Sequence, residues 1–211
     1  MNWLRHNWPE VVDLTLAHLL LSLPAIVLSV VLAVPIGRLA QRLPRIGAPL
    51  LGAASLLYAI PALPLLIVIP AIFGTPLRSS ATMVIALTIY GVALLVRTAA
   101  DAFASVDAST RDAALAIGHS PRSLLWRVDL PLAFPVLLSG IRVVTVSTIG
   151  LVTIGALIGV SSLGTLLTDG FQRGISGEVV TGVVATVVLA LLLDAILVLV
   201  GRALTRWRVA S

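Results

Sequence analysis

The chain is expected to be an all-α membrane protein, a single domain over 1–211 with five transmembrane helices and one polar cytoplasmic insert. Three observations carry that expectation. With 59% hydrophobic and 11% charged residues and a mean hydropathy of +1.11, the chain holds more apolar surface than a soluble core can hide. Lipid must therefore be the solvent for most of it. Five stretches, about 14–36, 49–73, 81–100, 132–157 and 179–200, reach the roughly 20 apolar residues that a bilayer crossing needs. Against that background, residues 107–131 (DASTRDAALAIGHSPRSLLWRVDLP) stand out as a polar, helix-forming interruption.

The charges orient the spans. Arg38, Arg42 and Arg45 follow the first, and Arg97, Arg111, Arg122 and Arg127 fall at or after the third. Arg202, Arg206 and Arg208 follow the fifth, whereas Arg5, Arg78 and Arg173 lie on the opposite side. Positive charge gathers on the cytoplasmic face, which puts the N-terminus outside and both the insert and the C-terminus inside. The leading segment MNWLRHNWPEVVDLTLAHLLLSLP lacks the ordered basic, apolar and cleavage regions of a secretory signal, and reads as a retained amphipathic lead-in.

Within the second span, Pro61, Pro64 and Pro70 interrupt YAIPALPLLIVIPAIFG. Each removes a backbone donor, and in lipid such breaks persist only where protein or a water-filled cavity satisfies the freed groups. Either a broken helix lining a pathway or a merely kinked helix satisfies that condition. On the pathway reading, Tyr58, Pro61, Pro64 and Tyr90 are the candidate lining residues. After the fourth span, GALIGVSSLGTLLTDGFQRGISGE is too apolar for an ordinary loop and too broken for a full helix, so a partly re-entrant segment near the outer face is expected.

Several function classes are excluded. A net charge of +5 and an isoelectric point near 11.2 would suit a nucleic-acid binder, but the arginines flank the apolar runs and form no basic patch. Without cysteine there is no disulfide, thiol nucleophile or thiolate metal site. All 14 basic residues are Arg. A phosphate-binding loop of the Walker type needs Lys, so any ATP-driven work must rely on an ATPase in another subunit. The three His and scattered Asp show neither metal nor nucleophile spacing, which argues against an intramembrane enzyme. No metal or other cofactor is expected.

Single ionisable residues in the spans need partners. Asp194 is expected to pair with Arg142 or Arg202, and His18 to be a hydrogen-bonded packing residue. Aromatics amount to only 5%, so no aromatic cage for a quaternary ammonium is expected in this chain.

The insert reads as two short helices. Ser109, followed three residues later by Asp112, fits a helix start. Ala113, Ala114 and Ala116 favour helix, and Gly118 suits the position just past its end. Ser120 and Pro121 restart a helix as N-cap and first-turn residues. Leu124, Leu125 and Val128 give it an apolar side, and Pro131 is expected to end it. Docking into a groove on a partner protein and lying on lipid headgroups both fit these features.

A resemblance separates them. Asp112-Ala113-Ala114, three residues, Gly118, nine residues and Val128-Asp129-Leu130-Pro131 resemble the E-A-A-x3-G-x9-I-x-L-P signature of ABC importer permeases, with Asp for Glu and Val for Ile. IPALPLL at 60–66, ALTIYGVALLVRTAADAFASVD at 86–107, LPLAFPVLLSGIRVVTVSTIGLVTIGALIG at 130–159 and TLAHLLLS at 15–22 are similar to permeases of the glycine betaine/carnitine/choline group. Where that group has a G-x-G-G-L-G run, this chain has Gly159-Val160-Ser161-Ser162-Leu163-Gly164, and the two Ser leave the backbone less free.

The resemblance implies a type I importer permease fold, with Asp112, Ala113, Ala114, Gly118, Leu130 and Pro131 in the ATPase-coupling element. It also implies as partners cytoplasmic ATP-binding subunits, an extracytoplasmic solute-binding protein and a second permease copy or paralogue. The implied cargo is a compatible solute such as glycine betaine, choline, carnitine or proline. The same machine moving an amino acid such as methionine, and a scaffold with no flux, are the alternatives.

Overall fold

A computed structural model describes residues 2–205, all of whose regular elements are helical. Arg206 and Arg208, which the topology argument placed on the cytoplasmic side, lie outside the described residues. A short lead-in helix, α1 (Asn2–His6), precedes α2 (Trp8–Arg42). Helix α2 is longer than the 14–36 expected, because neither Pro24 nor Pro35 stops it. Next come α3 (Pro44–Ala59) and α4 (Ala62–Phe73), then α5 (Ser80–Ala104). The insert holds α6 (Ala108–Ala116) and α7 (Pro121–Leu124). A π turn at Leu125–Asp129 carries α7 directly into α8 (Leu130–Val152). A 3₁₀ turn (Thr153–Ile158), α9 (Leu163–Gln172) and α10 (Ser176–Leu204) complete the chain.

Four of these segments are long and apolar enough to cross a membrane, and α3 with α4 supplies a fifth, broken span bent by 109°. With the bent pair taken as one span, the five expected crossings are matched, the second in two pieces. The break falls at Ile60-Pro61, both in extended backbone. Pro61 has no N–H to offer α3 and disfavours helical backbone in the residue before it, so helix α3 stops there. Pro64 stands in the first turn of α4, where amide donors have no helical partner anyway.

Helix α5 is the centre of the packing. Leu95, Val96, Ala99 and Phe103 are fully buried, and α2 runs along it as its most extensive neighbour. Small residues permit that approach. A Cβ on Gly37 of α2 would stand 2.6 Å from the Ala99 Cβ and 2.8 Å from the Ala100 backbone nitrogen. Ser29 ties the same pair, donating to Ala25 O at 2.7 Å and lying 3.3 Å from Thr88 O. In a bilayer, helix association depends on such close packing and hydrogen bonds, since burial from lipid supplies no hydrophobic drive. Gly37→Leu is therefore expected to destabilise the protein by about 1–3 kcal/mol. Thermal unfolding in detergent measures this; an unshifted midpoint would show that α2 can move off α5 without cost. Helix α10 is different, with almost none of its apolar surface buried within this chain. That surface is left to lipid or to neighbouring subunits.

Three local expectations need correction. Asp107, not Ser109, caps α6: its carboxylate accepts the Ser109 N–H at 2.8 Å, and the helix begins at Ala108. Asp is as good an N-cap as Ser, and here it stands earlier. Pro131 does not end the second insert helix. It occupies the first turn of α8, and the π turn just before it relieves the clash a proline ring makes with the carbonyl four residues back. Finally, Ser161 and Ser162 cost the backbone nothing, since no described non-glycine residue has a positive φ. Ser162, in extended backbone, caps α9 through Gly164 N at 3.1 Å. The segment after the fourth span is accordingly a 3₁₀ turn followed by a capped helix.

Candidate coupling insert and membrane cavity

The insert is built from local signals. Helix α6 ends in two bonds, Gly118 N–H to Leu115 O and His119 N–H to Ala114 O, both at 3.0 Å. This is the paired arrangement of a Schellman cap, which requires left-handed backbone at the residue just past the helix. Gly118 supplies it with φ +93°. Ser120 caps α7 by accepting Ser123 N–H at 3.3 Å, with Pro121 at the first helical position as expected. The N-cap hydrogen bond from Ser109 N–H holds the Asp107 carboxyl below the usual carboxylate range.

Most of α6 is turned away from the rest of the chain, which it meets along Arg111 and Ala114. Asp112 and Ala113 are exposed, Leu115 is 49% exposed and Ile117 79%, while Ala114 is buried against its own chain. Gly118 is exposed too, and nothing lies within 4 Å of where its Cβ would be. Trp126 on the π turn is 66% exposed. The insert thus presents an acid, small residues and large apolar side chains together. Leu130 and Pro131 sit apart from this face, half-buried where α8 begins.

What holds the insert in place was not anticipated. Asp129, only 1% exposed, accepts from Arg38 Nη2 at 2.6 Å and Arg111 Nε at 2.7 Å, one on each carboxylate oxygen. Arg111 also donates to Phe103 O, one of the carbonyls left over at the end of α5. The Arg38 guanidinium stands 5.0 Å from the centroid of the Phe103 ring, within cation–π range. A single buried carboxylate therefore joins α2, α5, α6 and the π turn. The available signal was Asp129 itself, an acid in the apolar VDLP run at the mouth of a span, which must find a cation. Arg38 is 91 residues away, so local pattern could not name it.

In the spans, Arg142 and Asp194 form the expected pair as a two-bond fork, with both contacts at 2.7 Å. His18 is fully buried and donates from Nε2 to Ile149 O at 3.1 Å. That carbonyl is free because the Thr153 N–H, its ordinary helical partner, turns to Gly150 and Leu151 as the 3₁₀ turn begins.

The break in the second span opens a cavity of about 490 Å³, bounded by α3, α4, α5 and α8. Three of the four candidate pathway residues, Tyr58, Pro61 and Tyr90, line it, while Pro64 does not. Tyr58 and Tyr90 meet edge to face, ring centroids 6.1 Å apart and planes at 74°. The Tyr90 hydroxyl donates to Ile60 O, one of the carbonyls freed by the break. Two tyrosines 32 residues apart give no sign in sequence of standing together.

A broken span beside a membrane cavity, with an exposed insert outside the spans, is the architecture expected of a transport permease. The comparisons with known proteins agree. Residues 4–208 match the family described as "Binding-protein-dependent transport system inner membrane component", and the chain belongs to that family. It is a membrane transport component and not an enzyme. It is 28% identical to the Choline transport system permease protein OpuBB of Bacillus subtilis (strain 168), over 97% of this chain and 93% of that one. It is 31% identical to the Osmoprotectant import permease protein OsmW of Salmonella typhimurium, over 92% and 91%. The fold is similar to that of an inward-facing MetNI methionine ABC transporter chain, with TM-score 0.80 and 22% identity over 92% of this chain and 95% of that one. It also resembles an amino acid ABC transporter chain, with TM-score 0.71 and 15% identity over 99% and 97%.

Proposed function

We propose that the chain is the permeation subunit of an ABC importer for osmoprotectants of the glycine betaine, choline and carnitine kind. Two copies, or one with a paralogue, form the path. A binding protein delivers solute from outside, where the N-terminus lies. Two cytoplasmic ATPases dock on 107–131 through Asp112, Ala113, Gly118 and the exposed apolar residues beside them. Tyr58, Pro61 and Tyr90 border the path at the break between α3 and α4, with Pro64 a turn further on. Alternation between outward- and inward-open states is driven by the different contacts that the ATPases make with the insert in each.

The observation that carries this reading is the exposed face of α6, which ends in a glycine that only a left-handed cap requires and is fastened to the membrane helices through Asp129. A helix lying on headgroups would have no need of that buried fastening. The relatives that transport choline and osmoprotectants support the cargo. The test is uptake of labelled glycine betaine, choline, carnitine, proline and methionine at high osmolarity. The host lacks its own osmolyte importers and expresses the chain with its ATPase and binding protein. Uptake of a quaternary amine is expected, and uptake of methionine alone would overturn the substrate class.

A further inference from the structure

The cavity at the broken span has three properties that belong together. Its two aromatic rings stand nearly perpendicular, Tyr58 half-exposed and Tyr90 almost covered, so that they form two adjoining walls. The C-terminal end of α3 also opens into it, with Tyr58, Ala59 and Ile60 among the lining residues. The last carbonyls of a helix lack helical partners and carry the negative end of its dipole. No charged side chain lines the cavity.

Across from the rings, Ser147 and Thr148 of α8 line the same space. Thr145 donates back to Ile141 O at 2.8 Å, as helical Ser and Thr commonly do. No side-chain hydrogen bond of Ser147 or Thr148 to another described residue is present, and the Thr148 hydroxyl is not among the buried unpartnered polar atoms. Two hydroxyl-bearing residues thus line the same space as two aromatic rings and a helix end of negative potential.

We infer that this cavity is a transient station for a trimethylammonium head group. The cation rests against Tyr58 and Tyr90 near the α3 carbonyls, and the solute's hydroxyl or carboxylate turns to Ser147 and Thr148. A small metal cation would gain too little here, because no carboxylate replaces its water. A large, weakly hydrated ammonium needs only π faces and partial charges. Two walls in place of a closed cage hold the head group weakly, as passage through the membrane demands. The tyrosine hydroxyl fixes the geometry: Tyr90 is anchored to Ile60 O, so its ring is set by the break itself. The inference rests on the proposed osmoprotectant cargo and gives a cation-binding role to two tyrosines that the sequence marked only as candidate pathway residues.

The experiment uses the whole complex, with its ATPase and binding protein, in vesicles of phosphatidylethanolamine and phosphatidylglycerol. These lipids carry no trimethylammonium group, so any effect belongs to the solute. Labelled choline uptake is measured together with ATP hydrolysis stimulated by choline-loaded binding protein. Tyr58→Leu is expected to lower choline moved per ATP by about tenfold, with stimulated hydrolysis changed less than twofold. Tyr58→Phe, which keeps the ring, is expected to retain at least half. Wild-type transport by Tyr58→Leu would overturn the station and leave the cargo standing. Equal losses with Leu and Phe would also overturn it, since the ring would then not be the agent. A wild-type complex that moves no quaternary amine at all would overturn both the station and the cargo.

Discussion

Asp129→Ala is expected to cost about 3–5 kcal/mol of stability, because it strands two arginines around a buried site with no anion. Arg38 is almost as buried as the carboxylate it meets, their side chains 9% and 2% exposed, so water cannot take over as partner. For a chain of this length the loss corresponds to roughly 6–20 °C in the unfolding midpoint of the detergent-extracted protein. Arg111→Ala should cost less. Its side chain is 21% exposed, and Arg38 would still hold the carboxylate. A midpoint for Asp129→Ala within a degree of wild type would mean that the triad is not what ties the insert to α2 and α5.

Gly118→Val is expected to act on transport and spare the fold. A β-branched residue held at φ +93° is strained by about 1–2 kcal/mol or more, and the strain is met by rebuilding the α6 cap. Nothing crowds the site, so the damage stays local. The face carrying Asp112, Ala113, Leu115 and Ile117 would then be displaced relative to the turn that follows. Uptake should fall about tenfold or more while ATP hydrolysis by the assembled complex persists. Asn, which tolerates left-handed backbone better than Val, should fall between the two. Undiminished uptake by Gly118→Val would contradict docking on the insert.

Much of the molecule was legible before any coordinates. Hydropathy found all five crossings, because runs of Leu, Val and Ala long enough to span lipid have few other uses. Gly118, Ser120 and Pro121 declared their roles through local backbone chemistry, which acts over three or four residues. Asp194 announced a need for a cation, and only the choice between Arg142 and Arg202 was open. The fastening at Asp129 was not legible, since Arg38 reaches it from another helix far away in sequence. The facing of Tyr58 and Tyr90 escaped notice for the same reason: a low aromatic content says nothing about where two rings meet. Pro131 misled because proline stops an ordinary helix, whereas a π turn lets the chain continue past it.

That continuity makes a lever of the segment from Pro121 to Val152. The second insert helix, the π turn and the fourth span run on as one helical segment of about 48 Å, with Asp129 near one end. Thr148 lies 19 residues beyond Asp129, about 28 Å along the axis. A tilt of about 10° with Asp129 as fulcrum would swing Thr148 through about 5 Å, comparable with the 6.1 Å between the two tyrosine rings it faces. Moved as one body, the segment would turn a small angular push outside the bilayer into a displacement in the cavity the size of a methylated ammonium.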